Sequence, residues 1–194
     1  LLSVFLVIML ETARAAPHSG NVDKYQKALE QTIELSKLSD HEAGILLTSY
    51  MKTNGFLNDQ QAPSMDGVPS ATIAGSTPKE KLRNISNKAM IFHWHIDMVT
   101  KYMTNMLEDS DNDTQILLGL LSDSRDRLKK LSGRVEVLLQ ILDPNTPTTT
   151  STKPQDVLCD DYEKKLYGWA VLNGHKEFLA MVLQEVAGFK DNTV

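Results

Sequence analysis

The sequence has a single cysteine, Cys159, among its 194 residues. That excludes an internal disulfide, so packing alone must hold the fold together. Asp160 and Asp161 follow the thiol, and neighbouring negative charge disfavours a thiolate. A nucleophilic cysteine is therefore not expected. Aromatic residues make up only 6%, and no block of Lys and Arg stands out against a net charge of -5. Phosphates need a cationic footprint, so nucleic acid is not expected as a partner. Neither a phosphate-cradling glycine loop nor a nucleophile elbow occurs.

Long apolar runs are also scarce. The one that exists, LLSVFLVIML at 1–10, falls well short of the ~20 residues needed to cross a bilayer. ETARAAP follows it, with the small-x-small pattern Ala13-Arg14-Ala15, which reads as the hydrophobic and cleavage regions of a secretory signal peptide. The expectation is a partial signal over 1–16 and one domain over 17–194. The product should be secreted and extracellular, with no direct membrane insertion.

Helical periodicity fills most of the remainder. Leu82, Ile85, Ala89, Phe92, Ile96, Val99, Met103 and Met106 recur in alternating steps of three and four, which lines them along one side of a helix and cannot suit a strand. Thr77 with Glu80 forms a capping-box signature, and Pro78 suits the first helical position. Leu117, Leu121, Leu128, Leu131, Val135, Leu138 and Leu142 repeat the pattern, with Ser124 in the vacant place and Asp113 as the expected cap. A less regular first segment, 22–53, carries Val22, Tyr25, Leu29, Ile33, Leu38, Ile45, Leu46 and Tyr50 and stops at Asn54-Gly55. A last segment, 161–189, carries Leu166, Trp169, Leu172, Leu179, Leu183 and Val186, although Gly168 and Gly174 weaken it by propensity.

Connection lengths set the topology. Only EDSDND separates the second and third segments, so those helices must be antiparallel neighbours. About 24 and about 18 residues make the other two connections, an excess that a simple hairpin does not need. Such loops can run back along a helix ~40 Å long, at ~3.3 Å per extended residue. An all-α, long-chain four-helix bundle with up-up-down-down topology and two long crossover loops is expected.

Candidate chemistry is sparse. His93 and His95 in HWHID stand two apart, which turns them to different sides of a helix, so no metal site is expected and surface histidines are the plain reading. The core positions are nearly all apolar, leaving no cofactor site and no enzyme expected. Asn84-Ile85-Ser86 and Asn112-Asp113-Thr114 are N-glycosylation triplets, each requiring an exposed asparagine. Trp94, Met98 and Tyr102, with Ile91, form a second apolar strip on the second helix. It is a candidate receptor-binding strip if exposed, and plain packing if a loop or neighbour covers it. In DDYEKKLYGW, Asp160 or Asp161 can cap the last helix, whereas Lys164 and Lys165 oppose its dipole. Tyr162 and Lys165 share a face, which makes an aromatic-plus-cation receptor contact one reading and a core aromatic with solvated lysines the other.

YEKKLYGWAVL at 162–172, DGVP at 66–69 and LLTSYMKTNG at 46–55 carry a family resemblance. The chain resembles the interleukin-6-type helical cytokines of the ciliary neurotrophic factor, leukaemia inhibitory factor and cardiotrophin branch, and is most similar to ciliary neurotrophic factor and its secreted fish relatives. The resemblance implies a monomeric growth factor that brings together cytokine receptor ectodomains and so activates associated kinases. Those ectodomains are the shared interleukin-6-family signal transducer and a leukaemia-inhibitory-factor-type receptor. It also implies that Tyr162 and Lys165 fill the family's Phe-x-x-Lys receptor contact, with Tyr in place of Phe. A secreted four-helix hormone with unrelated receptors, or a carrier bundle that does not signal, is the alternative.

Overall fold

The computed structural model of the chain describes residues 19–57, 60–106, 112–145, 153 and 160–191. The expected leader over 1–16, the Thr-rich part of the second long connection and Cys159 lie outside the described residues. The described residues form four helices, α1 (Ser19–Asn54), α2 (Pro78–Met106), α3 (Asn112–Leu142) and α4 (Asp161–Asp191), and contain no strand.

Local chemistry sets the helix ends. At the close of α1, the Gly55 N–H bonds the Lys52 carbonyl and the Phe56 N–H bonds the Met51 carbonyl. This is the paired closure of a Schellman motif, and Gly55 supplies its left-handed residue with φ of 75°. At the start of α2, the Thr77 hydroxyl accepts from the Glu80 N–H while the Glu80 carboxylate accepts from the Thr77 N–H. The capping box forms as expected. Further bonds from the Ser76 N–H and hydroxyl hold the Glu80 carboxyl down to about 2. Asp113 is not the cap of α3. The helix begins at Asn112, and Asp113 sits in its first turn, where its carboxylate pairs with Lys52 at 2.8 Å.

Cross-helix contacts give the directions. Late in α1, Tyr50 meets Lys165 early in α4, and early in α1, Glu30 meets Lys190 late in α4. Lys52 meets Asp113, Glu42 meets Arg127, and Gln31 meets Arg134, so α1 is antiparallel to α3 as well. Lys79 pairs with Asp143 and Ser86 with Ser132 between α2 and α3, and Lys81 pairs with Glu185 between α2 and α4. Helix α2 is thus antiparallel to both of its neighbours. It follows that α1 and α2 run one way and α3 and α4 the other. Helices α1 and α2 do not pack on each other, nor do α3 and α4; each lies diagonally across the bundle. A bundle of alternating hairpins would also pack α1 on α2 and α3 on α4, and this one packs only α2 on α3 among consecutive helices.

The core follows the expected stripes of α2, α3 and α4 closely. Leu82 through Met103, Leu117 through Leu138, and Trp169, Leu172, Leu179 and Val186 are buried in those registers, and Ser124 is buried in its place. Leu142, in contrast, is exposed at the end of α3. In α1 the expectation needs more correction, because Val22, Leu38 and Ile45 are exposed. The buried line there runs Leu29, Thr32, Ser36, Ser39, Ala43, Leu46, Tyr50, again in steps of three and four. Thr32, Ser36 and Ser39 can sit inside because each hydroxyl donates to the carbonyl four residues earlier.

The first long connection runs over α2 and α4. Ile73 is buried, the Ala74 N–H bonds the Asn84 side-chain oxygen at 3.0 Å, and Lys88 donates to the Ser70 carbonyl. Gly75 allows the chain into the α2 cap. Its φ is 126°, and a side chain there would strike Glu80 Cβ at 2.8 Å.

Candidate functional site

The end of α1 and the start of α4 meet at one corner of the bundle. Asp160 precedes α4, and one of its carboxylate oxygens accepts from the N–H groups of Tyr162 and Glu163 at 2.8 and 3.1 Å. That cap fixes Tyr162 in the first turn, where its side chain is 64% exposed. Of the two readings open for this tyrosine, core aromatic or surface aromatic, its exposure fits the second.

The two lysines separate. Lys164 is half-buried, pairs with Asp161 at 3.0 Å, and lays its ammonium 5.7 Å from the centre of the Tyr102 ring. It is folded back onto the bundle. Lys165 is also half-buried but forms no ion pair among the described residues. Its carbonyl accepts from the hydroxyl of Tyr50 at 2.9 Å, which ties the first turn of α4 to the last turns of α1.

That tie depends on Gly168. A Cβ built there would meet the Tyr50 oxygen at 2.1 Å and Cζ at 2.6 Å. The glycine that propensity disfavours is thus the opening through which Tyr50 reaches the α4 backbone. Gly174 is different, since a Cβ there would make only ordinary contacts at 3.5 Å and beyond. Beside the corner, Phe56 stacks on Trp169 with ring centres 4.6 Å apart. An open groove of about 550 Å³ runs along them, bordered by Asn54, Gln60, Tyr162 and Leu166.

The strip on α2 is corrected by the structure. Met98 and Tyr102 are only 8% and 4% exposed, so they offer no outward surface. Tyr102 packs edge-on against Tyr167 of α4 at 6.0 Å, and Lys164 covers its face. Trp94 is half-buried, with the Lys153 ammonium 4.5 Å above its ring and His93 against its edge. Tyr102 is covered by Tyr167 and Lys164 of α4, and Trp94 by Lys153.

The histidines are not on the surface either. His93 and His95 are both buried and turn to different neighbours, as spacing two requires. His93 Nδ1 donates to the Arg125 carbonyl of α3 at 3.1 Å, while His95 Nδ1 shares a 2.6 Å hydrogen bond with the Tyr167 hydroxyl of α4. Burial pushes His95 down to about 4. His175, which sequence reading passed over, is buried beside Phe92 with neither ring nitrogen hydrogen-bonded among the described residues, and burial pushes it down to about 3. Among the described residues, no three His, Cys, Asp or Glu side chains converge as metal ligands, and no helix is long and apolar enough to cross a membrane.

Of the glycosylation triplets, Asn112 is exposed at the head of α3, whereas Asn84 is half-buried and its side-chain oxygen is bonded to the loop backbone. The structure thus keeps Tyr162 and Lys165 together on one turn. Trp94, Met98 and Tyr102 lie elsewhere, beneath their neighbours. No protein-family model matches the chain, and no curated protein matches it.

Proposed function

We propose that the chain is a secreted cytokine of the interleukin-6 type, acting by holding receptor ectodomains together rather than by making or breaking bonds. The observation that carries this reading is the exposed Tyr162, capped into the first turn of α4 one turn from an ammonium without an ion pair among the described residues. An aromatic ring costs little entropy to bury, and a nearby cation adds directional specificity, which is the usual make-up of an interface hot spot. The long bundle supports the same reading, because its separate outer faces can meet different receptors. Once one receptor is bound, a second on the same membrane meets the complex at raised effective concentration. A leukaemia-inhibitory-factor-type receptor would take the Tyr162 corner, the shared signal-transducing chain would take another face, and their associated kinases would then start signalling.

The test is a pull-down of purified receptor ectodomains by the refolded 17–194 chain, beside Tyr162→Ala and Lys165→Ala. Both variants should lose capture and cell signalling, with helicity and melting nearly unchanged, because the substituted side chains do not complete the core. Full activity in both would end the reading. Capture of a different receptor class would instead favour a four-helix hormone, and a ligand carried inside the bundle would favour a carrier.

A further inference from the structure

The phenol of Tyr162 has a chemical neighbourhood that receptor contact does not explain. The chain has five tyrosines, and the other four are buried or half-buried. Two of them, Tyr50 and Tyr167, use their hydroxyls in hydrogen bonds to other helices. The Tyr162 hydroxyl makes no hydrogen bond among the described residues, and its side chain is the most exposed of the large apolar and aromatic ones. Three exposed carboxylates, Asp160, Asp161 and Glu163, lie within two residues of it. The nearest cation in sequence, Lys164, is drawn away to Asp161 and the Tyr102 ring.

We infer that Tyr162 is a site of tyrosine O-sulfation, made during export by a sulfotransferase whose basic cleft reads the surrounding carboxylates. The inference rests on the secreted reading, because that is where such enzymes meet their substrates. In the transfer, the phenolic oxygen attacks the sulfur of a nucleotide phosphosulfate. The new O–S bond forms as the bond from sulfur to the donor's phosphate oxygen breaks. The nucleotide phosphate leaves with that electron pair, and the phenolic proton passes to a base of the enzyme. No oxidant or reductant is needed.

Position in the helix favours both reaction and product. The N–H of Tyr162 is held by the Asp160 side chain and not by a backbone carbonyl, so the phenol stands exposed on the least bonded turn of the helix. Afterwards, a fixed negative charge at the head of α4 suits the helix dipole, and Lys165 stands one turn away as its cation. Sulfation would convert the corner from an aromatic beside a free ammonium into an anion beside a cation. The occupancy of one hydroxyl would then set how the corner meets a receptor pocket.

The experiment expresses the full chain in animal cells behind a supplied export leader, with the chain's own N-terminus in a parallel arm. The chain recovered from the medium should carry the mass of one SO₃ group on the peptide holding Tyr162. That mass should resist phosphatase and disappear both in Tyr162→Phe and in cells grown with chlorate to block sulfation. The Asp161→Asn/Glu163→Gln pair should cut occupancy several-fold at unchanged helicity, which separates recognition of the carboxylates from loss of the fold. An unmodified Tyr162 in cells that sulfate a co-expressed control protein, or a phosphatase-sensitive group there, would overturn the inference. Receptor capture by the sulfated and bare chains is measured separately. A chain recovered sulfated that captures no receptor retains this site and removes the cytokine reading, and a chain recovered unmodified from cells that sulfate the control, yet capturing receptor, does the reverse.

Discussion

Gly168→Ala is the substitution on which the structure stakes most. In an exposed helix it would gain about 1 kcal/mol, because alanine is the better helix former. Here the new methyl would sit 2.1 Å from the Tyr50 oxygen and 2.6 Å from Cζ, and Tyr50 is fully buried with no room to turn aside. Overpacking costs about 1–3 kcal/mol, and displacing the ring removes the hydroxyl from the Lys165 carbonyl, stranding a buried donor at about 1–3 kcal/mol more. Set against the propensity gain, the net loss is about 3 kcal/mol. The decisive arm is a cycle with Tyr50→Leu, which lacks the three atoms within 3.1 Å of that methyl. In that background Gly168→Ala should stabilise by about 1 kcal/mol, reversing the sign and giving a coupling near 4 kcal/mol. Tyr50→Phe keeps Cζ and should not relieve the clash. Urea titrations followed by far-ultraviolet circular dichroism measure all the variants, with equal slopes required before midpoints are compared. A Gly168→Ala chain as stable as wild type, or equally destabilised beside Tyr50→Leu, would refute the reasoning.

Gly174→Ala serves as the matched contrast, since its methyl finds only ordinary contacts; it should be neutral or stabilise by up to ~1 kcal/mol in the same titration. Stability should fall with acid. His95 and His175 have folded values below the unfolded ~6.5, so unfolded imidazoles take up protons that the folded ones refuse, and the contribution is full above that value and lost below it. Between pH 7.5 and pH 5 the loss is about 2 kcal/mol per histidine, and His175→Leu should roughly halve the slope of a melting series against pH. Below the ordinary carboxylate range, protonation of Glu80 adds to the loss by undoing the α2 cap, and Thr77→Ala should cost about 1 kcal/mol near neutrality. Met98→Ala and Tyr102→Ala should lower the unfolding midpoint by several degrees, as core truncations do, where an exposed strip would leave it unchanged.

The legible part of this fold was the part written in apolar residues. Leu82 to Met103 and Leu117 to Leu138 announce their stripes because every place on them but Ser124 holds an aliphatic or aromatic side chain. The stripe of α1 is just as regular, yet four of its places hold Thr32, Ser36, Ser39 and Ala43. A reading that searches for large hydrophobes passes over these and takes Leu38 and Ile45 instead, both of which face solvent. Hydroxyls that bond their own helix bury cheaply, and nothing in composition announces it. The site divides in the same way. The Asp160 cap follows from the local spacing, whereas the exposure of Tyr162, open in sequence between core and surface, is set by the packing. The covering of Met98 and Tyr102 is not local either, because it depends on which helix lies beside α2, a relation between residues far apart in sequence. His175 was missed for a similar reason. A lone histidine among apolar neighbours carries no motif, and only the packed core shows that both nitrogens lack partners among the described residues.

The same long-range relation links architecture to the corner. With α1 and α4 antiparallel neighbours, the Schellman turn that ends one helix and the Asp160 cap that starts the other fall at one end of the bundle. Phe56, just past the first, can then stack on Trp169, two turns into the second, and Tyr50 can reach the carbonyl of Lys165. In a bundle of alternating hairpins, α1 and α4 would also be antiparallel neighbours, but α2 would then pack against α1. Here α3 takes that place and Lys52 pairs with Asp113, so the outer surface flanking the corner is built from the heads of α3 and α4 and the tail of α1. The crossover connections are what bring those three ends together. Their length is explained by this placement, and the first of them also adds Ile73 to the core.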